Sequence, residues 1–288
     1  MLAFSPLSPH LGAEVCGVDL HDALGRESCW VHDVARLLMR YKVLRFRGQV
    51  IGPGELTKLA SLFGPVRALK RADSGDVTHI PGHPEVKVVS NVTRDGKPIG
   101  DGGSSENSWH TDGSYLPRPT ALTFLYGRKS PSRRPPRTCF LSLQHIYDRL
   151  PQSLIDAIAP LRAIHYSPWS FAPEFADEIR ALPAGADRRH IGPLHPLVRR
   201  DPASGRLSLF PPRQRACLIE GCSPAESEKL SDVLWSVIET TTEWWGDSIE
   251  PDDLLIFDNR YTMHRREAFA ADEERILWHV TTDEDRPA

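Results

Sequence analysis

Residues 108–115 read SWHTDGSY and set His110 and Asp112 two positions apart. In extended backbone, residues two apart point to the same side, so an imidazole and a carboxylate placed this way converge on one point. The pair alone is a weak signal. With 12 histidines in 288 residues, an H-x-D arises about once by composition, and its plain alternative is a turn in which Asp112 caps a backbone N–H. A third group strengthens it. His264 stands in LLIFDNRYTMHRREAF, just past a segment that reads as a buried strand. Two histidines and one carboxylate can hold one face of an octahedral metal and leave three positions open, as in non-haem iron oxygenases. The same set also serves zinc hydrolases, so ligand types alone leave the metal undecided.

Arg275 lies eleven residues after His264, opening the apolar stretch RILWHV. It is either a surface strand end or a fork for a carboxylate, since a guanidinium pairs bidentately and keeps its charge. A 2-oxo acid chelating the metal through its keto and C1 carboxylate oxygens would present its far carboxylate to such a fork. Thr138 could add a hydroxyl donor, although by composition it is simply a strand residue. Trp109 and Tyr115 flank the ligand pair and read equally as pocket walls or core aromatics.

These residues need a scaffold of short elements. The 25 prolines fall in clusters that break the chain into strands and loops. Strands are expected at 42–46, 86–90, 121–126, 138–142, 254–257 and 276–281, which are rich in Val, Ile, Leu, Phe and Thr. Helices are expected at 55–63, 150–158 and 223–245. In the last, Ser223 and Glu226 form a capping box, and Leu230, Val233, Leu234, Val237 and Ile238 make a core-facing stripe. The basic stretches 127–137 and 182–192 read as solvated loops, with a lid or anion contact as the alternative.

At 40% hydrophobic and 25% charged, the chain has ordinary globular composition. A net charge of −3 gives no reason to expect nucleic acid or an anionic membrane. No apolar run approaches the about 20 residues that span a bilayer, and the N-terminus carries no signal-peptide pattern. The five scattered cysteines read as reduced thiols of a cytoplasmic protein, not as a zinc site or a disulfide frame.

Taken in order, PLSPHLGAEVCGVDL, VLRFRGQ, GELTKLASLFGPV, HPEVKVVSN, WHTDGSY, TCFLSLQHIYDRLP, HPLVRRDPASGRLSLF, DNRYTMHRR and RILWHV resemble the TauD/TfdA family of Fe(II)- and 2-oxoglutarate-dependent dioxygenases nearly end to end. The resemblance implies a mainly β fold with flanking helices around a double-stranded β-helix (jelly-roll, cupin-like) core, as one domain over 1–288. It carries the Fe(II) ligands onto His110, Asp112 and His264, and the 2-oxoglutarate contacts onto Thr138 and Arg275. It implies oxidation, typically hydroxylation, of an unactivated C–H, consuming O2 and releasing succinate and CO2; the family spans sulfonates, aryloxy acids, amino acids and natural-product precursors, and a small polar, amino-acid-like metabolite is favoured here over a simple sulfonate or aryloxy acid. It also implies a homo-oligomer, dimer or tetramer. With Asp112 a carboxylate, the chain does not resemble the halogenating branch.

Three departures stand out. Pro135-Pro136-Arg137 replaces the family's Gly-Gly-Asp before the threonine, and Phe257 replaces a common tryptophan. A second arginine four residues after the first grips an anionic substrate group in some members; here that position is His279. Anion binding then weakens, becomes pH-dependent, or passes to Arg265, Arg266 or the 127–137 loop. Asn107 matches loosely a substrate-contacting polar position. Two rivals remain at this stage: a non-catalytic metal-binding jelly roll acting as sensor or scaffold, and a zinc hydrolase on the same fold.

Overall fold

The computed structural model describes residues 2–25, 29–68, 79–166, 192–213 and 217–283. The larger sheet has eight strands in the order β1 (Ala3–Pro6), β2 (Ala13–Cys16), β3 (Val43–Phe46), β16 (Leu254–Asp258), β8 (Thr120–Lys129), β18 (Ile276–Asp283), β5 (His83–Ser90) and β4 (His79–Ile80). Its pairings are antiparallel except β2 with β3. A smaller antiparallel sheet orders β15 (Trp244–Ser248), β9 (Arg137–Ser142) and β17 (Thr262–Arg266). Side elements are the hairpin β6 (Thr93–Arg94) and β7 (Lys97–Pro98), the sheet of β10 (Arg162–Ile164), β11 (Leu194–Pro196) and β14 (Leu218–Ile219), and the pair β12 (Val198–Arg200) and β13 (Leu207–Leu209). The described helices are α1 (Leu20–Ala23), α2 (Cys29–Tyr41), α3 (Pro53–Ser61), α4 (Leu143–Tyr147), α5 (Gln152–Ile158) and α6 (Pro224–Thr240).

Strand parity explains why these runs are apolar throughout. On the outer face of the larger sheet, Leu44, Phe46, Phe124, Tyr126, Leu254 and Ile256 pack with Val34 and Leu38 of α2 and Leu56 and Leu59 of α3. Their alternates Val43, Leu125, Leu255, Phe257 and Leu277 pack inward against Phe140 of the smaller sheet. A strand buried on both faces reads as a continuous hydrophobic run. Each fully buried Leu or Phe contributes about 1.5–3 kcal/mol through apolar burial. Two sheets closed face to face around this inner cluster form the expected double-stranded β-helix core, flanked by helices.

All six expected strands are present, mostly extended by a few residues. Lys42, expected to open the first, instead ends α2 in left-handed backbone (φ 63°), its Nζ donating to the Met39 carbonyl at 2.7 Å. Helix α2 itself was not anticipated, although Trp30, Val34, Leu38 and Tyr41 bury one face of it. The capping box at Ser223 and Glu226 is formed. The helix stops at Thr240 rather than Trp245, because Trp244–Ser248 pairs with β9 instead. Its buried face is Ser227, Ser231, Leu234, Trp235 and Ile238. Val233, expected inside, is 43% exposed. All five cysteines are free thiols.

Candidate active site

His264 lies on β17 opposite Phe140 of β9. Both point inward, and the imidazole packs against Phe257 with ring centroids 4.8 Å apart. His110 joins β17 through a lone bridge: its N–H donates to the His264 carbonyl at 3.0 Å, and the His264 N–H donates back at 2.8 Å. The two rings stand 4.2 Å apart. Around the pair the backbone pairs only at this bridge, after which the chain turns. Gly113 makes the turn with φ 61°, and a Cβ there would meet Thr120 Oγ1 at 2.3 Å, so only glycine fits. The turn still returns Asp112 to the side of the two histidines. Asp112 Oδ1 is 3.6 Å from His110 Nε2 and 3.8 Å from His264 Nε2. One donor atom from each residue lies within 4.8 Å of the others. That spread suits three ligands around one ion at bond lengths of about 2 Å.

The surroundings aim these atoms. His110 Nδ1–H donates to the Ser108 carbonyl at 2.8 Å, which leaves the Nε2 lone pair for a metal. Burial holds His110 well below the usual histidine range, helped by His264 and Arg213, and burial lowers His264 too. The neutral imidazole is the form that ligates, and burial favours it at both positions. Burial alone would raise the Asp112 carboxyl; His264 and the hydrogen bond from His279 outweigh it and hold Asp112 well below the carboxylate range. Asp112 Oδ2 accepts from Thr123 Oγ1 at 3.0 Å and from His279 Nε2 at 3.3 Å. Asn259 closes a ring behind it. Its Nδ2 donates to Thr123 Oγ1 at 2.6 Å, and its Oδ1 accepts the Asp112 backbone N–H at 3.2 Å.

A cavity of about 330 Å³ opens at these three residues and reaches Thr138 and Arg275. Leu277, His279 and Thr281 line it, as alternation along β18 requires, and so does Arg275 just ahead of the strand. The Arg275 side chain is 5% exposed and has no hydrogen bond or ion pair with the described residues. Burial, with the nearby charge of Arg266, brings it down to about 9. Thr138 Oγ1 is buried without a partner. Buried donors left unpaired are costly, so this end of the cavity is shaped for an anion with acceptor oxygens. Asn107 stands exposed at the rim, its N–H donating to the Arg266 carbonyl at 2.9 Å.

Other expectations divide. Tyr115 lines the cavity, whereas Trp109 is buried in the core beneath the Arg265 guanidinium, 5.1 Å from its ring centroid. Arg265 is therefore removed from the cavity. Arg266 lines it but directs its guanidinium to the Gly103 and Ser105 carbonyls. The 127–137 stretch keeps the expected surface loop at 130–136, between β8 and β9. Its first residues belong to β8, and Lys129, Arg133 and Arg137 pair with Glu274, Asp272 and Glu267. Residues 182–191 lie outside the described residues. Sequence reasoning assigned no role to Thr123, Asn259 or Arg213. Asn259 was visible within the DNR motif, and Thr123 shares the inward parity of Leu125, but nothing in the sequence marked Arg213.

A jelly roll with a converging His-Asp-His set and a buried, unpaired arginine in the same cavity defines the class of mononuclear facial-triad oxygenases. The profile of the "Taurine catabolism dioxygenase TauD, TfdA family" matches residues 3–281. The chain is 31% identical, over 98% of its length and 97% of that protein, to the alpha-ketoglutarate-dependent 2,4-dichlorophenoxyacetate dioxygenase of Cupriavidus pinatubonensis. It is 28% identical, over 72% of each chain, to the pentalenolactone F synthase of Streptomyces arenae. A crystal structure of a taurine dioxygenase from Burkholderia xenovorans superposes with a TM-score of 0.78 at 26% identity, covering 100% of this chain and 91% of that one. The chain belongs to the TauD/TfdA family and is a 2-oxoglutarate-dependent dioxygenase, using Fe(II), 2-oxoglutarate and O2. Neither the non-catalytic scaffold nor the zinc hydrolase gains support from the site or these relatives.

Proposed function

We propose that this chain is one catalytic domain over 1–288 that hydroxylates an unactivated C–H of a small polar molecule. His110 Nε2, Asp112 Oδ1 and His264 Nε2 hold the iron, and Arg275 with Thr138 takes the distal carboxylate of 2-oxoglutarate. The observation that carries the assignment is the Arg275 guanidinium, buried and unpaired in the cavity the triad opens. Iron with 2-oxoglutarate supplies the oxidising power drawn from O2: one oxygen atom enters the C–H bond, the other enters succinate, and CO2 leaves.

The chain's own groups bind, aim and exclude. Arg275 offers a fork, and Thr138 Oγ1–H a further donor, so the cosubstrate's chain is fixed at its far end. Thr123 and His279 hold Asp112 Oδ2 and turn Oδ1 toward the histidines. Phe140 and Phe257 wall the inner side of His264 and keep water from it. His279 serves the metal carboxylate in this reading, and Asn107 stays a rim contact for substrate.

The test is succinate release from 2-oxoglutarate by the Fe(II)-loaded protein with ascorbate and O2, alone and with candidate substrates. Silence of the Fe(II) protein under all conditions would remove the proposal. No described helix is long and apolar enough to cross a membrane. The cytoplasmic assignment rests on the free thiols, and the homo-oligomer, dimer or tetramer, on the family; light scattering after size exclusion tests the latter.

A further inference from the structure

Five cationic side chains line the cavity: Arg67, Lys87, Arg213, Arg266 and Arg275. Three are committed within the protein. Arg67 pairs with Asp283 and donates to the Arg118 carbonyl at 2.8 Å. Lys87 pairs with Asp101 at 2.5 Å, and Arg266 is held by the Gly103 and Ser105 carbonyls. Arg275 is the cosubstrate's anchor in the reading above. Arg213 remains.

Arg213 follows Phe210-Pro211-Pro212, is half-buried, and makes no hydrogen bond or ion pair with the described residues. Arg213 lines the cavity together with His110, Asp112, Tyr115 and His264, so it stands on the metal side. Asp112 offers it no hydrogen bond, since Oδ2 accepts from Thr123 and His279 and Oδ1 faces the two histidines. His279, standing where some relatives carry a second arginine, is likewise committed to Asp112. Strand β18 thus supplies one free cation, not two, and the other comes from the segment before β14.

We infer that Arg213 is the specificity-determining residue of this enzyme: it takes the acidic group of the substrate, a carboxylate, sulfonate or sulfate, and leaves the oxidised carbon facing the triad. Two unpaired arginines at separate positions in one cavity match two anions, cosubstrate and substrate. The cavity volume of about 330 Å³ lies at the small end for ligand sites, which favours a compact acid. A half-buried guanidinium that no described residue hydrogen-bonds discriminates against a neutral analogue, which offers it no charged acceptor. This inference rests on Arg275 being the 2-oxoglutarate anchor.

The experiment titrates matched ligands into the anaerobic Fe(II) protein saturated with 2-oxoglutarate: phenoxyacetate against phenoxyacetamide, and butanesulfonate against butanesulfonamide. We expect at least one acid to bind about tenfold or more tighter than its neutral partner, as a charged hydrogen-bonded pair requires. Arg213→Gln should erase that preference without changing the affinity of the amide or of 2-oxoglutarate, and Arg213→Lys should keep part of it. Equal binding of both acids and their neutral partners to the unmodified enzyme, or a preference that survives in Arg213→Gln, overturns the assignment. Failure of 2-oxoglutarate itself to bind, or to weaken in Arg275→Gln, would instead strike the reading beneath it.

Discussion

The two ends of the cavity are built on opposite principles. At the triad, the atoms not aimed at the metal are mostly tied down by the protein: His110 Nδ1 by Ser108, and Asp112 Oδ2 by Thr123 and His279. Only His264 Nδ1 lacks a partner among the described residues. At the other end, Arg275 and the Thr138 hydroxyl are buried and have no side-chain partner among the described residues. The braced end has its donor atoms aimed in advance, as a site that would hold an ion needs. The unpaired end is completed only when a ligand arrives, and so couples the protein's stability to that ligand.

Substitutions can break this contrast. The largest effect is expected from Asp112→Ala, which removes a ligand that also organises three neighbours. Calorimetric titration with Fe(II) should show a loss beyond the about 10- to 100-fold typical of removing a ligand's outer partner. Retained affinity would mean the triad is not the metal site. Next comes Arg275→Ala, which should raise the 2-oxoglutarate requirement about 10- to 100-fold, as loss of a charged pair predicts, with Fe(II) affinity unchanged. The opposite sign is expected for stability. Arg275→Met should raise the melting temperature without 2-oxoglutarate, because an unpaired buried charge is replaced by apolar bulk. A lower value would show that the guanidinium is satisfied in the empty enzyme.

Asn259→Ala tests the brace itself. It should cost about tenfold in Fe(II) affinity and leave 2-oxoglutarate affinity nearly intact. Equal losses in both would erase the distinction between the two ends.

The smallest effect lies away from both. His195 donates from Nε2 to the Leu116 carbonyl, faces His165 and lies near Arg199; burial holds it at about 4. Burial also holds His165 well below the usual range. The unfolded chain, with histidines near their ordinary 6.5, binds more protons between those values. Stability should therefore fall as pH drops from about 6.5 to about 4, by up to about 1.4 kcal/mol per pH unit for His195. Chemical denaturation of the apo protein across that window measures it, and a flat profile would refute it.

Much of this was legible beforehand because local rules carry it. Doubly buried strands announce themselves as apolar runs, so all six expected strands appear. Alternation along β18 puts Arg275 and His279 on one face, and alternation along β17 sends His264 and Arg266 inward and Arg265 outward to Trp109. What failed was competition between elements. The helix expected to run to Trp245 stops at Thr240 because the tryptophans that continue its pattern satisfy β9 as an edge strand. The helical spacing of Trp30, Val34, Leu38 and Tyr41 was present but passed over.

By itself, then, the sequence determined the ligand types, their order and the strands that carry them, because residue chemistry and period-two burial act within a few positions. Which side chains meet was decided only in three dimensions. His110 reaches His264 across 154 residues, His279 hydrogen-bonds Asp112 from across the cavity, and Arg213 enters the cavity from a segment with no motif. Hydrogen bonds and charge pairs form between groups brought within a few ångströms, and that proximity comes from how the two sheets close on one another, not from spacing along the chain.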